Sequence, residues 1–166
     1  MTKPRFFGQE HCLIDQNGRV KLPTRLLRDF QDFDQPEIML HCLPENALAV
    51  YPLSIWKQMR ENQPRPAAKA GDSLYYRRQL RRFGGFTLAE TISKQGRITI
   101  PPLFREPLSL TPGSSAVAVG CEIGVEIWNS ELWRQEQEMI REYEQRLAQA
   151  EIEKQTGEIQ HGRKTQ

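Results

Sequence analysis

An aspartate and an arginine, Asp15 and Arg19, lie on either side of the dipeptide Asn17-Gly18. Asn-Gly is a strong signal for a tight turn between two strands, so this spacing places the carboxylate and the guanidinium at one protruding turn. A guanidinium fixed in this way can form two parallel hydrogen bonds to a guanine edge or to a phosphate. The same spacing also allows the arginine only to brace its own hairpin. The spacing alone leaves both interpretations open.

The histidines do not indicate a catalytic site. The chain has three of them, His11, His41 and His161, and none has a sequence context typical of a catalytic pair. The patterns GxSxG, Walker A and HExxH, which mark common nucleophile, phosphate and zinc chemistry, do not occur. The sequence therefore predicts a protein that is not an enzyme and has no small-molecule substrate.

Three cysteines, Cys12, Cys42 and Cys121, form no CxxC pair, and their odd number argues against a disulfide framework. The first two each follow a histidine, which leaves a shared metal site as one alternative. Zinc sites usually need four ligands, with neighbouring ligands about two to four residues apart, so half-buried thiols are the better interpretation. We therefore expect no metal, no cofactor and a reducing, cytoplasmic location.

The charge of the chain is distributed unevenly. Residues 1 to 110 contain 17 lysines and arginines against 11 acids, a net charge of +6, whereas residues 111 to 166 contain 6 against 10, a net charge of −4. Four arginines lie within six residues: Arg77, Arg78, Arg81 and Arg82. A basic N-terminal part of this kind indicates an anionic partner, such as nucleic acid or an acidic protein surface.

A chain of 166 residues with 38% hydrophobic residues fits one ordinary domain or two very small ones. The longest uninterrupted apolar run covers residues 47 to 51, whereas a membrane-spanning helix needs about 18 apolar residues or more. Residues 1 to 8 have no apolar region of the kind that a signal peptide carries. We therefore expect neither a membrane span nor export.

The elements that position the turn belong to an internal repeat. Residues 14 to 23 read IDQNGRVKLP and residues 92 to 101 read ISKQGRITIP, so isoleucine, glycine, arginine and proline coincide at an offset of 78. The second halves also correspond, at an offset of 77. The copies cover residues 9 to 55 and 87 to 130, and a unit of about 45 residues rarely buries enough surface to fold alone. The two copies are therefore expected to share one core as a pseudo-dimer.

Each copy has the pattern of a strand, a turn at glycine, a second strand, a short helix after proline and two further strands. This β-β-α-β-β order, repeated, predicts an α+β fold dominated by sheet. Between the copies, residues 56 to 86 are expected to form a helical connector, with a basic helix over residues 72 to 83. A long helix over residues 131 to 154 and a flexible tail over residues 155 to 166 are expected to follow.

The predicted C-terminal helix has an apolar stripe and an acidic remainder. Trp133, Ile140 and Leu147 recur every seven residues. From Glu131 to Glu153 the segment holds seven glutamates against three arginines, a net charge of −4, which repels phosphate. We therefore expect this helix to support assembly of subunits rather than to contact DNA. Packing only within its own subunit is the alternative.

Five features in one order closely resemble the MraZ family of the SpoVT/AbrB superfamily. They are Phe6-x-Gly8, the string over residues 14 to 25, Tyr51-Pro52-Leu53-x-x-Trp56, the arginine-rich helix and the second GRITIP copy. The resemblance spans about residues 6 to 140 and implies a duplicated swapped-hairpin fold, an AbrB-like β-barrel, with ring-shaped homo-oligomers. It also implies binding to G-rich direct repeats in double-stranded DNA upstream of the division and cell wall gene cluster. Family members commonly act there as repressors.

The DxxxR element of that family falls on Asp15 and Arg19 in the first copy, with Gly18 in the turn. The resemblance thus implies that this turn reads DNA. Basic residues close to it are candidates for contacts with the phosphate backbone: Lys21, Arg25 and Arg28. They are equally well explained as ordinary solvated residues of a strand and a helix.

In the second copy the same element falls on residues 93 to 97, where Ser93 replaces the acid and Gly96 takes the turn. Serine can make the local turn bond but cannot form an ion pair with Arg97, so the second copy is expected to contribute less to DNA binding. The lysine that is common before the glycine in this family is missing from both copies. Lys94 is the candidate that replaces its phosphate contact.

The arginine cluster of residues 77 to 82 has two interpretations, a basic stripe on phosphates or an interface with a neighbouring subunit, and we favour the interface. The sequence as a whole predicts a cytoplasmic, nucleoid-associated DNA-binding regulator of transcription. Two other classes compete with this prediction. One is an antitoxin-like module that binds another protein, and the other is a ring-forming protein without specific DNA binding.

Overall fold

The computed structural model describes residues 3–33, 36–63 and 69–162. The first repeat contains β1 (Gln9–Leu13), β2 (Arg19–Lys21), α1 (Thr24–Gln31), β3 (Glu37–Cys42), β4 (Leu48–Pro52) and α2 (Leu53–Glu61). The connector holds α3 (Leu74–Gly84). The second repeat contains β5 (Thr87–Thr91), β6 (Arg97–Thr99), α4 (Pro102–Arg105), β7 (Ser115–Gly120) and β8 (Val125–Asn129), and α5 (Ser130–Gly162) follows. The predicted α+β class is confirmed.

Proline sets the start of three helices. Pro23, Pro52 and Pro101 stand directly before α1, α2 and α4, with φ of −53°, −55° and −54°. The pyrrolidine ring holds φ near these values, which suit a chain about to enter a helix, and it leaves no N–H to extend a strand ladder. The same residue type therefore closes a strand and opens a helix in both repeats.

Six strands from the two repeats form one antiparallel sheet in the order β1-β7-β8-β4-β3-β5. Each repeat gives its first strand to the other, since β1 pairs with β7 and β5 pairs with β3. The second strands, β2 and β6, pair in a separate antiparallel ribbon. This exchange is the kind of swapped arrangement that the resemblance implies. Strands β1 and β5 end the sheet, and its closure into a barrel stays a prediction.

The main core is built from both repeats. Val20 of β2 and Ile98 of β6 are register partners, and both side chains are fully buried. The same hydrophobic cluster includes Leu26 of α1, Phe104 of α4 and Ile127 of β8. Each such side chain stabilises the fold by about 1.5 to 3 kcal/mol when it leaves water. Because these residues come from both copies, neither repeat retains its core without the other.

A second cluster joins the connector to the sheet. Trp56 of α2 stacks on Tyr51 and on Phe83 of α3, with ring centroids 5.9 and 5.3 Å apart. His41 of β3 packs against Trp56 and Phe83 at 5.7 and 4.8 Å. Its Nδ1 lies 2.9 Å from the hydroxyl oxygen of Thr87. A nearly buried imidazole is thus part of the packing between α3 and the sheet.

Acidification is expected to weaken this second cluster through His41. Burial, reinforced by the positive charge of Arg82, lowers the pKa of His41 below its ordinary value. The folded state therefore favours the neutral imidazole, so the contribution of His41 to stability is complete above the unfolded pKa. It is lost as the pH falls through that value towards the lowered folded pKa. Between pH 7 and pH 5, the melting temperature should fall more steeply for the wild type than for His41→Gln.

The matched control is His11→Gln, because His11 is an exposed histidine on β1. Its melting temperature is expected to follow the wild-type curve at every pH. Parallel curves for His41→Gln and the wild type would contradict the role of His41.

The connector helix begins slightly later than predicted. It starts at Leu74, because the hydroxyl of Ser73 caps it by accepting a hydrogen bond from the N–H of Tyr76 at 3.5 Å. Residues 64 to 68 of the predicted connector lie outside the described residues. The basic connector helix is otherwise where the sequence places it.

The C-terminal helix is longer than predicted. It was expected to end at Lys154 and to be followed by a flexible tail, but it continues to Gly162, so the predicted tail is wrong for residues 155 to 162. No proline interrupts this stretch, and the interior Gly157 costs only about 1 kcal/mol relative to alanine. The hydroxyl of Thr156 is satisfied inside the helix by the carbonyl of Ile152 at 2.9 Å.

The chain divides into two compact units, Met1–Ser130 and Glu131–Gln166. In the second unit, α5 carries several exposed apolar side chains: Met139, Ile140, Tyr143, Leu147, Ile152 and Ile159. Within the described ranges, no helix combines the length and the apolar composition that a membrane crossing requires.

Candidate nucleic-acid interface

The first turn is closed by the carboxylate of Asp15. Its Oδ1 accepts hydrogen bonds from the backbone N–H groups of Asn17 and Arg19 at 2.8 and 2.9 Å, and its Oδ2 accepts one from Nε of Arg19 at 3.0 Å. The backbone adds one bond from the N–H of Asp15 to the carbonyl of Arg19 and one from the N–H of Gly18 to the carbonyl of Asp15. Gly18 has a φ of +72°, the left-handed conformation that glycine adopts without strain. One side chain thus fixes both the shape of the turn and the direction of the arginine.

The electrostatics of the first turn keep the pair charged. The backbone N–H of Arg19, assisted by the N–H of Asn17 and the Arg19 side chain, lowers the pKa of Asp15 below its ordinary value. Arg19 uses Nε for this contact, and its two terminal nitrogens make no hydrogen bond to any described residue. Its side chain is 38% exposed. The two interpretations of Arg19 are therefore compatible: it braces its hairpin with one nitrogen and presents the other two to solvent.

The second turn repeats the backbone but not the ion pair. Ser93 Oγ accepts a hydrogen bond from the N–H of Arg97 at 3.0 Å, and Gly96 has a φ of +77°. Two backbone bonds match those of the first turn, from the N–H of Ser93 to the carbonyl of Arg97 and from the N–H of Gly96 to the carbonyl of Ser93. The guanidinium of Arg97 makes no hydrogen bond or ion pair within the part of the chain that the structure describes. Its direction is therefore set less firmly than that of Arg19.

The two turns lie at opposite ends of the β2–β6 ribbon. Arg19 pairs with Thr99 and Lys21 pairs with Arg97, so the first turn meets the end of β6 and the second turn meets the end of β2. Two further backbone bonds seal these ends, from Ile100 N–H to the Gly18 carbonyl and from Leu22 N–H to the Gly96 carbonyl, both at 2.9 Å. This register also puts two cations, Lys21 and Arg97, side by side.

The remaining predicted residues lie around these turns as exposed cations: Lys21, Arg25, Arg28 and Lys94. Arg25 and Arg28 stand on α1 directly after the first turn and β2, whereas Lys94 lies in the second turn. The guanidinium of Arg25 packs so closely over Gly8 that a Cβ at Gly8 would overlap it. Arg25 therefore lies against Gly8, and no described acid pairs with any of the four.

Arg105 is a residue near the first turn that the sequence reasoning missed. Its Nε donates to the carbonyl of Ile100 at 2.8 Å, and its Nη2 donates to the carbonyl of Asn17 at 3.3 Å. A Cβ at Gly18 would overlap its guanidinium. The repeat itself carried a signal, because the offset of 78 aligns Arg105 with Leu27 and so marks a charge at a position where the first repeat has a leucine.

The arginine cluster of α3 does not form a continuous free stripe. Arg77 donates to the carbonyls of Ala70 and Gly71 at 2.8 and 3.3 Å, which ties α3 to the residues that directly precede it. Arg82 donates to the carbonyl of Cys42 at 2.8 Å and stacks over the ring of Phe86. The other two members, Arg78 and Arg81, are exposed. The choice between a phosphate stripe and a subunit interface therefore concerns these two, and the interface stays a prediction.

The cysteines are kept apart by the sheet. Cys12 lies on β1 and Cys42 on β3, with β7, β8 and β4 between them. Burial raises the pKa of Cys12 and Cys42 to about 11 and that of Cys121 to about 12, so all three stay protonated thiols. Among the described residues, no group of three or more histidines, cysteines and acids is placed to hold a metal ion.

Comparison with known proteins finds similarity over both repeats. A family model described as "MraZ protein, putative antitoxin-like" matches residues 6–74 and 87–156. A protein of Syntrophobacter fumaroxidans is 31% identical over 133 residues, which cover 80% of this chain and 85% of that protein. One from Desulfitobacterium hafniense is 34% identical over 134 residues, covering 77% and 83%. One from Thermomicrobium roseum is 29% identical over 135 residues, covering 81% and 89%. All three are named "Transcriptional regulator MraZ".

Proposed function

The chain belongs to the MraZ family, and from this membership and the geometry of the first turn we propose that it regulates transcription by binding double-stranded DNA. The observation that carries the proposal is the ion pair between Asp15 and Arg19, 3.0 Å long. It holds one guanidinium in a fixed direction on the first turn. Two of its nitrogens are left for a ligand.

Guanine is the base that suits this guanidinium best. Its O6 and N7 are two acceptors side by side in the major groove, and an arginine fork can bond to both at once. A G-rich site therefore gives each Arg19 a base to read. We assign the neighbouring cations Lys21, Arg25, Arg28, Lys94 and Arg97 to phosphate contacts, which fix the position of the turn on the duplex without selecting a sequence.

Several copies of the chain act together in this proposal. A ring of subunits presents the first turn several times, and direct repeats in DNA present the same G-rich element several times. Linking such contacts strengthens binding well beyond that of a single contact when the spacing matches. The proposed target is a set of G-rich direct repeats upstream of the division and cell wall gene cluster, and the proposed outcome is repression at the nucleoid. In this scheme residues 9 to 55 and 87 to 130 are the two repeat units, residues 56 to 86 connect them, and the segment from residue 131 onwards supports assembly.

An electrophoretic mobility assay tests the proposal. The probe is duplex DNA from upstream of the gene cluster that encodes this chain, and the matched control is the same duplex with each guanine of the repeats exchanged for thymine. We expect a shift with the first duplex at concentrations that leave the second unbound, and affinity that falls as salt rises. Equal affinity for both duplexes, or no binding to either, would refute sequence-specific binding.

A second candidate function is that of an antitoxin-like module, which binds another protein. The observation that favours it is the row of exposed apolar side chains on α5, since surface patches of this kind often mark protein contacts. The two functions separate in one experiment. If the chain is an antitoxin, co-expression should rescue cells from a partner toxin encoded beside it, and Arg19→Ala should rescue them equally well.

The stripe on α5 is expected to hold subunits together. Ile140 and Leu147 are 40% and 52% exposed, and burying them against a second copy removes apolar surface from water. The double variant Ile140→Gln with Leu147→Gln should therefore give a smaller particle by light scattering. Truncation after Ser130 should have the same effect.

The matched control for this stripe is Ile152→Gln with Ile159→Gln. Both isoleucines are apolar and even more exposed, at 57% and 62%, but five residues beyond Leu147 the helix has turned to another face. This control should keep the wild-type particle mass. A truncated chain that keeps the wild-type number of subunits per particle would remove the assembly role.

A further inference from the structure

The tip of the first turn is held by the second repeat. The carbonyl of Gly18 accepts a hydrogen bond from the N–H of Ile100 at 2.9 Å. The carbonyl of Asn17 accepts one from Nη2 of Arg105 at 3.3 Å, while Nε of the same guanidinium donates to the carbonyl of Ile100 at 2.8 Å. One side chain thus links the backbone of the turn in the first repeat to the strand end in the second, across 88 positions of sequence between Asn17 and Arg105.

The contact between the turn and this guanidinium is close. Gly18 is buried, and a Cβ built at its α-carbon would overlap the guanidinium carbon and two of its nitrogens. The φ of +72° favours glycine here, and a larger residue would also displace the guanidinium of Arg105. The turn therefore rests on Arg105 rather than standing free in solvent.

The second turn has no such support. The position equivalent to Arg105 is Leu27, and a Cβ at Gly96 would meet its Cδ2 instead. A leucine side chain fills space but donates no hydrogen bond to the turn carbonyl. The first turn thus has both an acid that orients its arginine and an arginine that supports its backbone, whereas the second turn has neither.

We propose that Arg105 is a positioning residue for Arg19, through which the second repeat sets the direction of the base-reading guanidinium in the first. The bond to the Asn17 carbonyl fixes the peptide plane between Asn17 and Gly18, and Arg19 follows directly. A recognition group must be held to within about half an ångström to keep its geometry. The proposal rests on the proposed function, in which Arg19 reads DNA.

Arg105 could instead contact a DNA phosphate. A substitution that keeps its positive charge distinguishes this role from positioning of the turn. A lysine keeps the charge and so preserves a phosphate contact, but a single ammonium cannot bond to Asn17 and Ile100 with the planar fork of a guanidinium. The variants are therefore Arg105→Lys and Arg105→Leu. Leu27→Ala is the positional control, because it removes the equivalent support from the second turn.

Two measurements read out these variants. Amide hydrogen exchange in the absence of DNA follows the segments 14–20 and 92–98, which contain the first and second turns. Titration of the G-rich upstream duplex and its thymine-exchanged control, at two salt concentrations, gives base discrimination and salt dependence. The exchange measurement does not depend on whether the protein binds DNA.

In both Arg105 variants we expect the amide hydrogens of segment 14–20 to exchange faster, and those of segment 92–98 to exchange as in the wild type. Both variants should also lose about 3- to 10-fold in discrimination between the two duplexes, which corresponds to the free energy of one hydrogen bond. The salt slope of Arg105→Lys should stay that of the wild type. Leu27→Ala should loosen segment 92–98 and keep discrimination.

If amide exchange in segment 14–20 is unchanged in the Arg105 variants, Arg105 does not support the turn. If Arg105→Lys discriminates between the duplexes as well as the wild type does, Arg105 has no role in base reading. An equal loss of discrimination in Leu27→Ala would show a general effect of loosening the ribbon and also overturn the proposal. A third outcome separates the two proposals. If the Arg105 variants exchange faster in segment 14–20 but the wild type does not distinguish the two duplexes, the proposed function is refuted, while the support of the turn by Arg105 remains.

Discussion

Replacing Arg19 with alanine is expected to remove sequence-specific binding while the protein stays folded. A bidentate contact between arginine and guanine contributes about 1 to 3 kcal/mol of discrimination at each bound turn. In a ring that engages several direct repeats at once, these losses combine, so the affinity for the whole site should fall by orders of magnitude. Titration of the upstream duplex, with light scattering to verify the assembly, measures this.

The second repeat supplies the matched control for that variant. Arg97→Ala removes the same side chain from a turn with the same backbone, but here Ser93 leaves the guanidinium without an ion pair. It should weaken binding to matched and mismatched duplexes alike and reduce the salt dependence, as the loss of a phosphate contact does. Equal losses of discrimination in the two variants would contradict the difference between the turns. Full operator affinity of an assembled Arg19→Ala would contradict the assignment of Arg19.

The second large effect is expected from Ile98→Ala. Ile98 is fully buried opposite Val20, and truncation of a core isoleucine typically lowers the free energy of unfolding by about 2 to 5 kcal/mol. Because the core is shared, the first repeat should lose stability by the same amount as the second. Trp56 and Trp128 lie in different repeats, so urea unfolding followed by each tryptophan, with the other tryptophans replaced by phenylalanine, reads the two repeats separately.

Ile123→Ala is the control for this core substitution. Ile123 is 40% exposed in the loop between β7 and β8, so its truncation should change stability by no more than about 0.5 kcal/mol. Different unfolding midpoints at Trp56 and Trp128 in Ile98→Ala would mean that the repeats unfold independently. That result would contradict a shared core.

The local parts of this fold could be predicted from the sequence because single residues dictate them. Gly18 and Gly96 are needed for left-handed turns, and Pro23 and Pro101 close one strand and open a helix. Their recurrence at one offset revealed the repeat, and the size of the repeat implied a shared core. The turn geometry around Asp15 followed from the same local chemistry.

The long-range parts could not be predicted in the same way. Two copies with the same pattern are compatible with strands paired within each copy or between copies, so the pairing of β1 with β7 follows only from the resemblance and the structure. Arg105 reaches a turn in the other repeat, and no local pattern encodes that contact. The polar composition of residues 155 to 162 suggests fraying, but Gln155 and Glu158 are good helix formers, so α5 continues to Gly162.

The exchange of first strands between the repeats has a consequence for how such a protein can change over time. In a dimer of identical single-repeat chains, every substitution enters both turns at once, so one turn cannot lose its acid while the other keeps it. Covalent fusion of the two copies removes this constraint. One turn can then keep its acid and gain a supporting arginine while the other has neither, as Asp15 with Arg105 at the first turn and Ser93 with Leu27 at the second illustrate. Gene duplication thus gives this fold an asymmetry that mutation of a symmetric ancestor could not produce.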